Sequence, residues 1–181
     1  ISDLLVLFEL EYRDEGGLKD EMGALHSVIH NAVGICELKA QEKDISLVWK
    51  CSESIAMRMN VPLLEQALIN LIDNAIKYSP EKRQVEIRAT IETSEVIIEI
   101  QNQGFGIDPR HLDRIFERFY RVDAARSRKL GGTGLGLAIV KHIVQSHGGT
   151  VSVESHLNTG SKFTLKFPAP ISEKMELDEE R

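Results

Sequence analysis

Three polar side chains fall on one face of a segment that is otherwise apolar. Asn70, Asn74 and Lys77 are four and three positions apart, a spacing that places them on one side of an α-helix. An Asn carbonyl oxygen can bind Mg²⁺, which shares its ligand shell with phosphate oxygens, and a Lys ammonium supplies a point charge to phosphate. The spacing fits a site for a divalent cation and a polyphosphate, and it also fits a solvated helix face.

A glycine-rich segment, GGTGLGLAIV (residues 131–140), leads directly into a second predicted helix. Backbone N–H groups without side chains can approach an anion closely, and the positive end of the helix dipole favours the same ligand. The segment lacks the Gly-Lys-Ser/Thr ending of a P-loop, and no strand precedes it directly as in a dinucleotide-binding fingerprint. It therefore indicates an anion-binding helix N-terminus, with chain flexibility as the alternative.

Two further segments carry chemistry. In QNQGFGI (residues 101–107), Gly104 and Gly106 predict a turn in which the backbone approaches another group closely, and Asn102 stands there without a neighbouring carboxylate. In RIFERFYRVD (residues 114–123), Arg118 and Arg121 precede an aperiodic loop. Arg presents a planar fork of donors that suits terminal phosphates, although an exposed Arg is more often simply a surface residue.

The histidines offer weaker signals. His26 and His30 are an i,i+4 pair, but the sequence between them, HSVIH, lacks the internal Glu of a metalloprotease helix. His147 lies at the end of a predicted helix, where the helix dipole accounts for it. No His is followed by the Glu/Asp-x-x-Thr/Asn-Pro pattern of a phosphoacceptor helix.

The predicted elements that must position these residues are mixed helices and strands. Residues 1–14 are predicted to be the tail of a longer amphipathic helix. The helix beginning near Pro62 has an apolar stripe from Leu64 to Ile76, and the helix over residues 23–43 is predicted to bury Ile35 together with Cys36. Helices are predicted over residues 23–43, 61–78, 109–118 and 134–147, and strands over residues 46–51, 55–59, 84–103 (a hairpin), 150–155 and 161–167. A loop of unusual length covers residues 120–133. This order predicts an α/β sandwich with helices on one face.

Composition narrows the function classes. The 181 residues are 42% hydrophobic and 28% charged, which is ordinary for a soluble globular domain, and the net charge of -6 argues against a nucleic-acid-binding surface. Cys36 and Cys51 form no CxxC pair, so a disulfide framework is not expected. This cysteine usage predicts a reducing cytosolic compartment. No run of eighteen apolar residues indicates a membrane span.

The order and spacing of the motifs carry a resemblance. NLIDNAIKYSP, QNQGFGI, IFERFYRVD, GGTGLGLAIV and TGSKF follow one another as the N, G1, F, G2 and G3 boxes do. The sequence resembles the catalytic ATP-binding domain of bacterial sensor histidine kinases over residues 20–168. The resemblance implies a two-layer α/β sandwich of the Bergerat (GHKL) type, with a mixed sheet of about five strands packed against three helices on one face.

The resemblance also implies cofactors and residue roles. ATP and Mg²⁺ would be bound, with Mg²⁺ held by Asn74 and assisted by Asn70. Lys77 would contact phosphate, and Arg121 with Arg118 would reach the γ-phosphate, so that Asn70, Lys77, Arg118 and Arg121 form the catalytic set. The implied nucleotide contacts further include Tyr78, Asn102, Gly104, Gly106, Ile107, Tyr120, Gly132, Thr133, Gly134, Leu135, Gly136, Leu137 and Ser161.

The resemblance divides the chain into three parts. Residues 1–15 would be the C-terminal end of the dimerisation and phosphoacceptor helical hairpin, residues 16–168 the catalytic domain, and residues 169–181 a disordered acidic tail. The phosphoacceptor His and any membrane segment would lie upstream. The implied partners are that dimerisation domain, a cognate response regulator and a second copy of the full-length protein. The expected location is cytoplasmic, with no nucleic acid bound.

Two positions qualify the implied activity. ATP-hydrolysing relatives place a general-base Glu one turn before the Mg²⁺ amide; this chain has Asn70, so water attack is expected to be slow. The family's G1 box has an Asp that accepts a hydrogen bond from the adenine amino group, and this chain has Asn102. Losing the charge is expected to weaken binding by about 1–2 kcal/mol, roughly tenfold.

Asn102 leaves three interpretations open. An autokinase module is favoured by the intact Asn74, Lys77 and Arg121. A degenerate domain that binds nucleotide poorly and acts as a regulatory or interaction module is favoured by Asn102 alone. In the third, Asn102 is an introduced substitution.

Overall fold

Eleven elements make up the fold in the computed structural model, which describes residues 20–122 and 132–170. In chain order they are β1 (Glu21–Ala24), α1 (Leu25–Glu42), β2 (Ser46–Cys51), β3 (Ala56–Met59), α2 (Val61–Lys77), β4 (Gln84–Glu92), β5 (Glu95–Asn102), α3 (Pro109–Leu112), α4 (Gly136–Ser146), β6 (Thr150–His156) and β7 (Gly160–Pro168). Within these ranges, no helix is long and apolar enough to cross a bilayer.

The main sheet has five strands in the order β2-β4-β5-β7-β6. Only β2 and β4 are parallel; the other neighbours are antiparallel, and β4 and β5 form the predicted hairpin. Alternate side chains on β5 are buried (Val96, Ile98 and Ile100) because successive residues of a strand point to opposite faces. The opposite face carries ion pairs such as that between Glu99 and Lys162. One face of the sheet is therefore apolar and the other charged.

Three helices, α1, α2 and α4, cover the apolar face, which confirms the predicted architecture. α2 begins where the Asn60 side chain accepts a hydrogen bond from the Leu63 N–H at 3.2 Å, with Pro62 in the first turn. Its buried residues are those of the predicted stripe: Leu64, Ala67, Leu68, Leu71, Ile72, Ala75 and Ile76. The stripe fixes the rotation of α2 about its axis.

The structure differs from prediction at the N-terminal end of the domain. Gly23 belongs to strand β1, which pairs antiparallel with β3 in a separate two-stranded sheet, whereas the prediction began a helix there. The segment EMGA has little intrinsic strand preference and becomes a strand only through this distant pairing. Ile35 was predicted to be buried but is 57% exposed, because Ala32, Val33 and Cys36 define the buried side of α1.

Several helix ends also differ. α3 stops at Leu112 and not near residue 118, and turns follow it; α4 begins at Gly136 and not at residue 134. The predicted helical segment 1–15, part of the loop over residues 120–133 (residues 123–131) and the predicted tail from residue 171 lie outside the described residues. The Ala169 N–H donates to the Ser94 carbonyl at 2.8 Å, one position past the predicted end of the domain.

His147 has a role different from the predicted one. Its Nε2 accepts the Asn60 N–H at 2.9 Å, and its Nδ1 lies 2.7 Å from the Ile143 carbonyl oxygen. Because the Asn60 N–H can only donate, Nε2 must be the acceptor nitrogen. The ring proton is therefore on Nδ1, which donates it to the Ile143 carbonyl oxygen. A neutral imidazole thus joins the C-terminus of α4 to the start of α2, and the contact does not depend on a cation at the helix dipole.

The burial pattern gives a stability prediction. Leu68→Ala removes a fully buried side chain of α2 and should lower the free energy of unfolding by about 2–5 kcal/mol, since it removes apolar contacts and leaves a cavity. Ile35→Ala, at the exposed position on α1, should change it by less than about 0.5 kcal/mol. Urea denaturation followed by circular dichroism measures both. Similar losses for the two variants would contradict the packing described.

Candidate functional site

A cavity of about 420 Å³ opens between α2, the start of α4 and the segment that follows β5. Its size is within the usual range for small-molecule sites. Fifteen of the residues predicted for the site line it: Asn70, Asn74, Lys77, Tyr78, Asn102, Gly106, Ile107, Tyr120, Arg121, Gly132, Thr133, Gly134, Gly136, Leu137 and Ser161. Motifs up to 91 positions apart in sequence thus meet around one cavity.

Three predicted residues do not border the cavity, as far as the described residues define it. The Arg118 side chain is exposed, and Leu135 is a core residue that is 3% exposed. Direct contact of Arg118 and Leu135 with a nucleotide stays a prediction. Gly104 packs against two residues that line the cavity: a Cβ at this position would collide with the Tyr78 carbonyl oxygen and the Asn102 side chain. A Cβ added at Gly106, where φ is +70°, would likewise collide with the His156 carbonyl oxygen.

Asn102 forms the closed end of the cavity and is only 6% exposed. Its Oδ1 accepts the Ser161 N–H at 3.1 Å, and its Nδ2 donates to Ser79 Oγ at 3.0 Å, with the Ala75 carbonyl oxygen at 3.5 Å. Because the Ser161 N–H can only donate, it fixes which end of the amide is the oxygen. Oδ1 keeps a second lone pair with which it can accept another hydrogen bond.

Two serines that sequence reasoning missed hold this end together. Ser79 Oγ donates to the Ala75 carbonyl oxygen at 2.7 Å and so offers its lone pair to the amide of Asn102. Ser155 Oγ donates to the Gly160 carbonyl at 2.9 Å, accepts the Ile107 N–H at 2.8 Å and lies 2.8 Å from Ser161 Oγ. Serines are common in strands and turns, so nothing in the sequence marked these two.

Lys43 supports the C-terminal end of α2. Its Nζ donates to the carbonyl oxygens of Ile76, Lys77 and Ser79 at 2.7, 3.1 and 2.7 Å. Ile76 and Lys77 belong to the last turn of α2, where carbonyls lack the usual intrahelical partner, and burial lowers the pKa of Lys43. A lysine 34 positions before Lys77 thus fixes the backbone from which Tyr78 and Ser79 extend.

The other end of the cavity is polar. Asn70 Oδ1 accepts from Gln66 Nε2 at 3.1 Å, and Asn70 Nδ2 donates to the Gly136 carbonyl at 3.4 Å, which ties α2 to the start of α4. The Asn74 side chain has no hydrogen-bond partner within residues 20–122 and 132–170. Its carbonyl oxygen is therefore available to a ligand in the cavity.

Asp73 lies between two lysines at this polar end. Its Oδ2 is 2.7 Å from Lys77 Nζ and its Oδ1 is 2.7 Å from Lys39 Nζ, on α1. Burial alone would raise the pKa of Asp73, but hydrogen bonds from Lys39 and Lys77 outweigh it and hold the pKa below its usual value. Lys39 and Asp73 both line the cavity, and neither was predicted.

Tyr120 lines the cavity and is held by two side chains. Its hydroxyl is 2.6 Å from His111 Nδ1, and the Arg114 guanidinium carbon is 4.3 Å from the centre of its ring. Next to it, the Phe119 N–H donates to the Gly134 carbonyl at 2.9 Å. These contacts join the segment after α3 to the glycine-rich segment before α4.

A mixed five-stranded sheet under three helices, with a glycine-walled cavity beside the Asn and Lys face of α2, defines an ATP-binding domain of the GHKL class. Residues 59–171 match the model of the family described as histidine kinase-, DNA gyrase B-, and HSP90-like ATPase. The chain belongs to this family, and its relatives place it among the catalytic domains of sensor histidine kinases. The predicted resemblance is thereby confirmed.

Named relatives agree with that assignment. The sensor-like histidine kinase SenX3 of Mycobacterium tuberculosis is 41% identical over 145 residues, covering 80% of this chain and 35% of the relative. The phosphate regulon sensor protein PhoR of Pseudomonas aeruginosa is 33% identical over 174 residues, covering 96% of this chain and 39% of the relative. The chain thus spans little more than a third of these curated relatives.

Solved structures agree as well. The mycobacterial sensor histidine kinase MprB has a TM-score of 0.71 and 28% identity, covering 83% of this chain and 97% of that one. The nucleotide-free catalytic domain of the histidine kinase ThkA has a TM-score of 0.74 and 25% identity, covering 84% of this chain and 97% of that one. The individual roles of the site residues and the domain boundaries stay predictions.

Two glycines allow a matched test of the cavity wall. Gly104→Ala should lower the free energy of unfolding by about 1–3 kcal/mol, because the added methyl group meets backbone that cannot move aside easily. Gly34→Ala, in the interior of α1 with no atom within 4 Å of its added Cβ, should raise it by about 0.5–1 kcal/mol. Thermal and urea unfolding measure both. Stabilisation by Gly104→Ala would refute the close approach described for this turn.

Proposed function

We propose that this chain binds Mg²⁺-ATP in the cavity and presents the γ-phosphoryl group to a histidine on a dimerisation domain. The observation that carries the proposal is that one cavity has a fixed hydrogen-bond acceptor for a base, Asn102 Oδ1, at its closed end. Asn74, Lys77 and Arg121, whose side chains are of types that can bind a cation or phosphate, line the same cavity. A nucleoside triphosphate carries a base with hydrogen-bond donors at one end and a polyphosphate that binds cations at the other.

The closed end supports adenine as the base. The Ser161 N–H keeps Asn102 Oδ1 on the acceptor side, so its second lone pair can receive a hydrogen from the adenine amino group. Guanine carries a carbonyl oxygen where adenine carries that amino group, and two acceptors would then face each other. A neutral amide accepts more weakly than a carboxylate, so adenine binding should be retained but reduced.

The polar end has a donor set that fits Mg²⁺ and phosphate. The amide of Asn74 would supply an oxygen ligand to Mg²⁺, with phosphate oxygens and water completing a shell of the kind this ion prefers. Asn70 would assist, although one lone pair of its Oδ1 already accepts from Gln66. Bound Mg²⁺ would neutralise phosphate charge. Lys77 and Arg121 would contact the phosphates.

Transfer to a histidine is favoured over hydrolysis because the position for a general base is an amide. Asn70 cannot usefully accept a proton from water. In the proposed reaction a histidine nitrogen attacks the γ-phosphorus, the bond to the β–γ bridging oxygen breaks, and ADP leaves. Relatives named as sensor histidine kinases support this direction. We propose the rest of the assembly on the same ground: a homodimeric parent with the phosphoacceptor histidine and any membrane anchor upstream, a response-regulator partner and a cytoplasmic location.

A second candidate function is a degenerate kinase domain that acts as a regulatory or interaction module. Asn102 favours it, because both ends of the amide already have protein partners and the side chain lacks the charge of the family's Asp. The two candidates differ in one measurable quantity, which is the affinity for ATP.

Calorimetric titration with Mg²⁺-ATP distinguishes them. We expect the chain to bind ATP with a dissociation constant of roughly tens to hundreds of micromolar, and Asn102→Asp to bind about tenfold more tightly through a charge-assisted hydrogen bond. Mg²⁺-GTP is the control ligand and should bind more weakly to both proteins. If neither protein binds ATP, the kinase proposal is wrong; binding by Asn102→Asp alone would support the degenerate module.

Incubation with γ-labelled ATP tests the division of labour. The chain alone should take up no stable label, because the proposed nucleophile lies on another domain. Acid-labile label should appear on a dimerisation domain of the parent protein when it is added in trans. Stable labelling of one of the six histidines of this chain would contradict the proposal, and mass spectrometry would identify the residue.

A further inference from the structure

The Asp73 carboxylate is shared by lysines from two different helices. Lys39 extends from α1 and Lys77 from the last turn of α2, each with its Nζ 2.7 Å from a different oxygen of Asp73. Asp73 is 15% exposed, whereas Lys39 is 60% exposed. The arrangement is therefore a nearly buried anion held on two sides by cations, one of which is largely in solvent.

This cluster borders the cavity beside the amides proposed to hold Mg²⁺. Lys39, Asp73 and Lys77 line it together with Asn70 and Asn74. Lys77 belongs to the motif that marks the site in sequence, but Lys39 lies 38 positions earlier, on a helix with no such motif. Its place in the cavity wall follows from the packing of α1 against α2, in which Cys36, one turn before Lys39, contacts the Ile69 carbonyl.

The charges of the cluster do not cancel. Two ammonium groups and one carboxylate give a net charge of +1, whereas Asp73 and Lys77 alone would form a neutral pair. A neutral pair would attract a polyphosphate little, and an unpaired Asp73 would repel it.

We propose that Lys39 is a positioning residue of the phosphate end of this site. Lys39 holds one oxygen of Asp73. When Lys77 turns toward a phosphate, Asp73 therefore keeps a cationic partner, and no unpaired carboxylate remains beside that phosphate. The ligand class is the polyphosphate part of a nucleotide. The inference rests on the proposed function, because it assigns the second cation to the site where ATP is proposed to bind.

The competing explanation is that Lys39 and Asp73 form an ordinary ion pair between two helices. Such a pair would affect the free energy of unfolding and leave ligand binding unchanged. The positioning role instead predicts that affinity follows the net charge of the cluster, that it depends on ionic strength, and that it concerns phosphate and not the base.

A set of charge variants separates the two explanations. The cluster carries +1 in the unchanged chain, 0 in Lys39→Met, +2 in Asp73→Asn and +1 in the double variant. Calorimetry should show Mg²⁺-ATP affinity weakened roughly three- to tenfold in Lys39→Met, strengthened in Asp73→Asn, and within about threefold of the unchanged chain in the double variant. Lys39→Arg should restore the affinity. Lys50→Met, which removes an equal charge on an exposed strand position away from the cavity, is the matched control and should have no effect.

Adenosine and salt complete the test. Adenosine, which lacks phosphate, should bind all variants equally, and the differences in ATP affinity should shrink as the salt concentration rises. If Lys39→Met lowers stability but binds ATP like the unchanged chain, the inference is wrong while the proposed function stands. If the unchanged chain binds neither ATP nor adenosine, the proposed function fails and the inference fails with it.

Discussion

The packing of the apolar stripe of α2 against the sheet determines the geometry of the site. Burial of Leu64, Leu68 and Leu71 fixes the rotation of the helix, and this rotation sends Asn70, Asn74 and Lys77 to the cavity. One helix therefore contributes to both the core and the site. Because a protein interior is closely packed, a shift of α2 large enough to misplace Asn74 would also open the core, so the stability of the domain maintains the position of its polar residues.

The end of the cavity at Asn102 depends on a second constraint, which is the termination of α2. A helix end leaves carbonyl groups without partners, and here Lys43 and Ser79 donate to those of Ile76, Lys77 and Ala75. The same Ser79 hydroxyl then receives the Asn102 amide. The position of Asn102 on β5 is in this way set by the backbone of a helix that is not its neighbour in sequence.

Local patterns predicted much of this arrangement. The stripe of α2, the β4–β5 hairpin and the five motifs arise from the spacing of nearby residues, and these predictions match the structure. Strand β1 and the burial of Ile35 were predicted wrongly, because both depend on partners that local spacing does not reveal. Lys39, Ser155 and His111 were missed for a similar reason: each reaches the site or its surroundings from another element, and their residue types are common on any protein surface.

Asn102 shows how the electrostatics of a site and the stability of its fold can oppose each other. A carboxylate that is 6% exposed must be desolvated, which is costly unless donors compensate. The donors within reach are the Ser161 N–H and the Ser79 hydroxyl, and the Ala75 carbonyl oxygen would face a negative charge. The amide removes that charge and turns the contacts to Ser79 and Ala75 into hydrogen bonds. The chain without nucleotide should therefore be better satisfied with Asn at this position, while the proposed complex with adenine would lack a charge-assisted bond. Natural sites accept the cost of a buried charge where ligand binding requires it. In this chain the neutral amide of Asn102 avoids that cost and favours the fold without ligand.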